Sequence, residues 1–337
     1  MSRAPGRAAL LPGLLVTGLL AAGCTGPGER EVEPPVRSGP ASSPTDTPSA
    51  TATPRGEPTG TPQPRRDVRP RDFDPGQADA VVRHLAGTIG PRHGTSTAFR
   101  EAVAWTSGYF ERLGYRVRRP SFDVPGGVSW GVPVPAGESA NVVATPDGFD
   151  PAAPHLVVGA HLDTVPQAPG AEDNASGVGV VLAAAAAAAE GRTRLPVVWV
   201  AFGAEEPRGS TDDDHHYGSR AYVDAMAPAE RRSLRGMVSL DRVGVGRAVP
   251  VGSAEDSDPV QQSLLDAARR AGVPAYGDRF QRSSDHWSFV RAGLPGARLG
   301  STSYAAYHSP ADRPPVVDPA QLERSGRLLM AWLARTP

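Results

Sequence analysis

The sequence predicts an α/β fold: three layers, with a central, mainly parallel sheet between helices, preceded by a segment that does not fold. Three observations predict it. From residue 156 onward, short apolar runs of strand length alternate with stretches of helical period. Acidic residues and histidines fall directly after those runs, where open α/β sheets build their sites. Finally, 38 glycines and 36 prolines among 337 residues are more than a folded chain of this length needs, and much of the proline lies before residue 73. Hydrophobic residues reach 39%, enough for a sizeable core. A formal net charge of −1 argues against a nucleic-acid partner held by bulk charge. Every basic residue is arginine and Ile89 is the sole isoleucine, a bias to which we assign no chemistry.

Taken in order, residues 1–23 read as a signal peptide. Arg3 and Arg7 precede an apolar stretch from Ala8 to Leu20, broken by Pro12 and Gly13. That is shorter than the roughly 20 residues a membrane span requires. Leu20-Ala21-Ala22-Gly23-Cys24 resembles a bacterial lipobox, in which the cysteine is lipidated and becomes the new N-terminus. Ala21 stands where Leu is commoner. Cys24 is the single cysteine, so the chain has neither an internal disulfide nor a cysteine-based zinc site. The expectation is a protein lipid-anchored to the outer face of a bacterial cell membrane. An ordinary cleaved signal and a secreted protein are the alternative. Residues 24–72 are rich in Pro, Ser, Thr, Gly and Arg and lack an apolar period. They read as a disordered tether holding the folded domain, 73–337, off the membrane.

Within that domain, Pro75 to Ile89 and Thr95 to Leu113 carry helical spacing, and Tyr115 to Val124 and Ala140 to Thr145 read as strands. Leu156 to Ala160 is a buried-strand run. Asn174 to Glu190 is a helix whose seven alanines, Ala183 to Ala189, suit close packing. Further strands are expected at Pro196 to Phe202, Met237 to Leu240 and Val249 to Val251. Further helices are expected at Asp258 to Ala271, Asp285 to Ala292 and Pro319 to Leu333.

The groups that carry chemistry follow this pattern. His161 and Asp163 come directly after the run ending at Ala160. Asp173 sits in Glu172-Asp173-Asn174-Ala175-Ser176-Gly177, at the opening of the alanine helix. Glu205-Glu206 lie just past Phe202, and Asp241 just past Leu240. His308 stands in Tyr307-His308-Ser309. Oxygen and imidazole donors without thiolate suit zinc, manganese or cobalt. Two histidines, one shared carboxylate and two separate ones would complete a pair of metals.

At these residues the chain resembles the secreted co-catalytic di-zinc aminopeptidases of peptidase clan MH, the bacterial leucyl-aminopeptidase-like group. His-x-Asp, Asp-Asn-x-Ser-Gly, Glu-Glu, an isolated strand-end Asp and Tyr-His-Ser occur in that order across residues 76–337. Ile89-Gly90-Pro91-Arg92 and Ser284-Asp285-His286 also match. The resemblance implies the zinc-exopeptidase, phosphorylase/hydrolase-like fold, two zinc ions per chain with cobalt or manganese as substitutes, and peptide or protein N-termini as substrates. It implies His161 and Asp241 as terminal ligands of one zinc, Glu206 and His308 of the other, and Asp173 as the bridge. It makes Glu205 the general base, Asp163 the group that orients His161, and Tyr307 the donor to the developing oxyanion. A monomer is expected. Where the group commonly continues Glu-Glu-x-Gly-Leu-x-Gly-Ser, this chain inserts residues before Gly218-Ser219. Asp212 to His216 in that insertion are expected to form a solvated or gating loop rather than a third metal site. His286 is expected behind the ligands, and His84, His93 and His155 lack a site-like setting. A single-zinc glutaminyl cyclase on the same fold, a carboxypeptidase or dipeptidase of the clan, and a binding protein with a decayed site are the competing readings.

Overall fold

The computed structural model describes residues 65–336. The expected signal peptide, Cys24 and most of the tether therefore lie outside the described residues. The folded part begins earlier than residue 73. Asp67 forms a β-bridge with Arg192, and Val68, only 2% exposed, belongs to the core. One valine among polar neighbours makes no period, so the sequence pattern does not reveal this anchor.

Helix α1 (Pro75–Val82) opens on Asp74, whose carboxylate accepts from the amides of Gly76 and Gln77. It runs into a wider π-helical turn ending at Ile89. Helix α2 (Thr97–Arg112) is capped by Ser96 in the same way. The stretch expected as one strand is two, β1 (Arg116–Arg118) and β2 (Ser121–Val124). The break falls at Pro120, which has no N–H to give a ladder. Three short strands follow, β3 (Gly127–Ser129), β4 (Val132–Val134) and β5 (Gly137–Ala140). β3 and β4 form a hairpin, and β5 pairs with β2.

The body of the domain comes next: β6 (Val142–Thr145), β7 (His155–His161), α3 (Gly177–Glu190), β8 (Val197–Phe202), α4 (Tyr217–Ala225), α5 (Pro228–Ser233), β9 (Leu234–Leu240) and β10 (Val249–Gly252). It closes with α6 (Pro259–Ala271), β11 (Ala275–Asp278), α7 (His286–Arg291), β12 (Gly296–Leu299) and α8 (Pro319–Leu333). The main sheet has eight strands in the order β1-β6-β8-β7-β9-β12-β10-β11. β8, β7, β9 and β12 are mutually parallel, as are β10 and β11, whereas the β1–β6, β6–β8 and β12–β10 pairs are antiparallel.

Alternation along these strands feeds two cores. Leu156, Val158 and Ala160 face one side, with α1, α2, α3, α6 and α8. Val157, Val198, Val200 and Met237 face the other, where Tyr222 and Val223 of α4 and Phe289 of α7 cover them. Each fully buried large apolar side chain contributes roughly 1.5–3 kcal/mol. Small residues of α3 permit a close approach. A Cβ at Gly179 would lie 2.6 Å from the carbonyl oxygen of Ala78 in α1. The three-layer α/β/α architecture expected from the sequence is present.

Candidate metal centre

The carboxyl ends of β8, β7 and β9 are neighbours in the sheet, and each delivers a polar group to the same point. His161 is the last residue of β7. Asp241 follows β9 directly, and Glu205 and Glu206 follow β8 after Gly203 and Ala204. All four are buried. His308 comes from the long loop after β12 and lies with them.

Asp173 precedes the alanine helix as expected, but that helix begins later than Asn174. Asp173 and Asn174 leave helical geometry (φ −113°, ψ 85° and φ −137°, ψ 39°), and regular helix begins only at Gly177. The physical reason is a set of side-chain bonds that outcompete the helix. The Asn174 amide donates to the Leu240 carbonyl at 2.8 Å, and its oxygen accepts from the amides of Gly177 and Arg242. The Asp312 carboxylate accepts from the amides of Glu172 and Asp173 at 2.9 and 3.2 Å, and from the Tyr304 hydroxyl at 3.0 Å. Glu172, fully buried, accepts from the amides of Gly244 and Val245. Burial pushes the carboxyl of Glu172 well above its usual range.

A Cβ at Gly177 would come within 2.4 Å of both the Asn174 side-chain oxygen and the Leu240 carbonyl. Gly177→Ala should therefore destabilise the protein by roughly 1–3 kcal/mol and weaken metal uptake by shifting Asp173. Thermal unfolding with and without zinc checks this, and an unchanged midpoint in both would refute it.

The Asp173 carboxylate spans the site. One oxygen lies 3.2 Å from His161 Nε2 and the other 2.9 Å from His308 Nε2. Asp241 stands 4.0 Å from His161 Nε2, and Glu206 Oε1 stands 3.5 Å from His308 Nε2. Three sets of donor atoms lie close enough to share an ion: His161, Asp173 and Asp241; Asp173, Glu206 and His308; and His161, Glu205 and Glu206. Glu206 Oε1 is buried without a hydrogen-bond partner, as a cation ligand would be. Burial pushes the Glu205 carboxyl up to about 8 and that of Glu206 up to about 7. Burial opposes the His308 imidazolium, yet the adjacent Glu206 and Asp173 raise it to about 10. Burial likewise opposes ionisation of Asp173, but bonds from His161 and His308 hold its carboxyl well below the usual range. So many buried acids need compensating positive charge, which protons supply in part and divalent cations would supply fully. The oxygen and imidazole donors fit zinc.

Residues 141–333 match the sequence profile of peptidase family M28. The chain belongs to that family. Aminopeptidase YwaD of Bacillus subtilis is 30% identical over 187 residues, 52% of this chain and 40% of that protein. The chain spans 40%, 53% and 48% of the length of three curated relatives it matches. Among solved structures, the zinc aminopeptidase BSAP of B. subtilis superposes with a TM-score of 0.69 at 18% identity, over 77% of this chain and 94% of that one. Porphyromonas gingivalis glutaminyl cyclase superposes with a TM-score of 0.67 at 20% identity, over 78% and 98%. At these identities the superpositions speak to the fold, which M28 aminopeptidases and that cyclase share.

Other residues surround the cluster. The Asp163 carboxylate accepts the main-chain amides of Glu205 and Glu206 at 3.0 and 3.2 Å. It stands 3.7 Å from His161 Nδ1, while the Asp163 carbonyl oxygen lies 3.2 Å from that nitrogen. Asp163 thus holds both glutamates through its side chain and the histidine through its backbone. Tyr307, 37% exposed, stacks on His308 at 3.7 Å with the Arg242 guanidinium 4.5 Å over its ring. Burial and the adjacent Asp173 push its hydroxyl pKa up. The β3–β4 turn carries Trp130, whose ring lies 4.4 Å from that of His308. This hairpin rests on the insertion through a bond from the Val128 amide to the Arg208 carbonyl. His286 bonds to the Gln281 carbonyl at 2.7 Å and lies 3.4 Å from the Ser239 hydroxyl, without touching a ligand.

The insertion is only partly solvated. Gly209 to Asp213 are exposed, as expected of a loop. His216 is 5% exposed, lines the cavity and lies 3.0 Å from Glu205. Burial pushes its imidazole down to about 4. The solvated-loop expectation fails there because the chain must return to the end of β8. The Tyr217 amide donates to the Ala204 carbonyl, and a Cβ at Gly218 would lie 2.2 Å from the Gly203 oxygen. That Gly-Ser signal could have placed His216 beside Glu205. The cavity above the cluster measures about 160 Å³. A larger one of about 570 Å³, near the start of β8, is lined by Arg65, Tyr115 and Trp199 and lacks such a cluster.

Proposed function

We propose that the protein is a metallo-exopeptidase that removes N-terminal residues from peptides. One observation carries the reading: Asp173 offers one oxygen to each histidine, and a separate carboxylate completes each set. His161 and Asp241 would hold one zinc, Glu206 and His308 the other, and Asp173 both. When bound, zinc held by these residues would lower the pKa of a bound water and polarise the scissile carbonyl. Glu205 accepts the proton of the attacking water at a carboxylate oxygen and delivers it to the leaving amine. The Tyr307 hydroxyl donates to the developing oxyanion. Asp163, by accepting both glutamate amides, fixes the backbone that carries base and ligand. The substrate's free α-amine is drawn to the same acidic groups, which selects for chain ends.

The test is hydrolysis of aminoacyl-nitroanilides by the purified protein, with an N-blocked substrate as control. Activity on the free amine alone, lost on chelation and restored by zinc or cobalt, supports the reading. Equal cleavage of the blocked substrate overturns it. One metal per chain together with cyclisation of a glutaminyl peptide would instead establish the cyclase reading.

We also propose that the catalytic domain is lipid-anchored through Cys24. The lipobox-like segment and the polar stretch after it support this, and no helix among the described residues is long and apolar enough to cross a membrane. Cys24→Ser should abolish labelling by a fatty-acid probe and release the protein from the membrane fraction. Equal labelling of both forms would refute the anchor.

A further inference from the structure

We propose that His216 is a positioning residue for Glu205, holding one oxygen of that carboxylate so that the base does not become a metal ligand. The proposal rests on the reading of Glu205 as base.

His216 is built into place. Its backbone is left-handed (φ 58°, ψ 32°), a conformation that costs a non-glycine residue on the order of 1 kcal/mol. The fold enforces it with a bond from the His216 amide to the Glu205 carbonyl at 3.0 Å and another from the Tyr217 amide to the Ala204 carbonyl at 3.0 Å. The inserted residues thus leave after Glu206 and return directly beside Glu205. At the return point stands an imidazole whose Nε2 lies 3.0 Å from Glu205 Oε1 and is buried without a hydrogen-bond partner among the described residues. An unsatisfied buried ring nitrogen costs about 1–3 kcal/mol unless something accepts from it. Glu205 Oε1 is the acceptor at hand.

The consequence concerns the difference between two adjacent glutamates. Glu205 Oε2 lies 4.0 Å from His161 Nε2, and Glu205 falls within one of the three sets of donor atoms close enough to share an ion. An untethered carboxylate there would swing onto the metal and cease to act as a base. A small turn of the imidazole or the carboxylate brings the Nε2 proton onto Oε1, which holds that oxygen and leaves Oε2 facing the cluster, where a proton can be accepted. Glu206 Oε1 has His308 Nε2 at 3.5 Å instead, a nitrogen that also faces Asp173. The Glu206 oxygen is free of hydrogen bonds and available to an ion.

Two substitutions test this. His216→Leu fills the space without a donor, and His216→Gln places an amide N–H at similar reach. We expect His216→Leu to lower kcat by about 10- to 100-fold, the scale of a misplaced catalytic group, with KM and zinc content unchanged. His216→Gln should restore most of the loss. In a Glu205→Gln background, His216→Leu should have no further effect on kcat. In the metal-free protein, the two substitutions should shift the thermal midpoint non-additively, because they share one contact. Should His216→Leu fail to fold, His216→Asn, too short to reach Oε1, takes its place. Wild-type kcat in the leucine or asparagine variant, or additive midpoints in the metal-free cycle, overturns the proposal. If the wild type cleaves no aminoacyl substrate, the proposed function fails and the metal-free cycle alone decides on His216.

Discussion

Asp173→Ala should empty both metal positions at once, leaving well under one zinc per chain and lowering turnover by about 10³-fold or more. The expectation follows from the position of one carboxylate. Its two oxygens face two different histidines, at 3.2 and 2.9 Å, and no other residue joins both three-residue donor sets in which it takes part. Losing a terminal ligand such as Asp241 should weaken one position and leave the other. Losing Asp173 removes a donor from both and takes away the charge that keeps the ions' mutual repulsion tolerable. The fold should survive, because the main chain here is held by other groups. The amides of Glu172 and Asp173 donate to Asp312, and the Asn174 side chain is bound to the Leu240 carbonyl. Elemental analysis of Asp173→Ala beside Asp241→Ala decides the matter. Two zinc ions per chain in Asp173→Ala would mean that Asp173 bridges nothing.

Much of this site can be read in the sequence, for a physical reason. A buried parallel strand is a nearly continuous apolar run, so a charged or imidazole side chain just past it marks the strand end. His161, Glu205 and Glu206 announce themselves in that way, and so does Asp241, although Ser239 interrupts its run. His308 does not. It follows β12 by a long loop, so no strand end marks it, although the histidine in Tyr307-His308-Ser309 is itself a candidate ligand. β12 itself escaped because Arg298 interrupts its apolar pattern. That guanidinium is buried against Ser283 and Gln281, a long-range arrangement without a local signature. The helix expected from Asn174 begins only at Gly177, with Asp173 in an irregular turn before it, because the bonds of Asn174 outweigh helix propensity. The β3–β4 hairpin and Trp130 were missed because three-residue strands give too few positions to show a period. His216 was misread through its neighbours. Asp212 to Asp214 look like a solvated run, and most of that run is, but the close contact of Gly218 with Gly203 draws the next residues inward.

Glu205→Gln and Glu206→Gln, adjacent and chemically identical changes, should fail in opposite ways. Both side chains are buried, and both main-chain amides are held by the same Asp163 carboxylate. The side chains differ in what they meet. Glu206 Oε1 lies 3.5 Å from His308 Nε2, within a set that shares Asp173, and has no hydrogen-bond partner. Glu205 has His216 at 3.0 Å. A general base contributes typically 10²–10⁴-fold to rate and little to the assembled ground state. Glu205→Gln should therefore retain two zinc ions, fold normally, bind a peptide hydroxamate and lose turnover by about that factor. A ligand contributes to metal affinity, because the neutral amide of glutamine is a far weaker donor than a carboxylate. Glu206→Gln should lose zinc from one position on dialysis and regain part of its activity at high zinc. The two measurements, zinc per chain and turnover, must be made on both variants side by side. If Glu205→Gln drops a metal while Glu206→Gln keeps two, base and ligand are exchanged, and the contact with His216 then tethers a ligand. If both keep two metals and near-normal turnover, neither glutamate belongs to the reacting centre and the proposed chemistry is wrong.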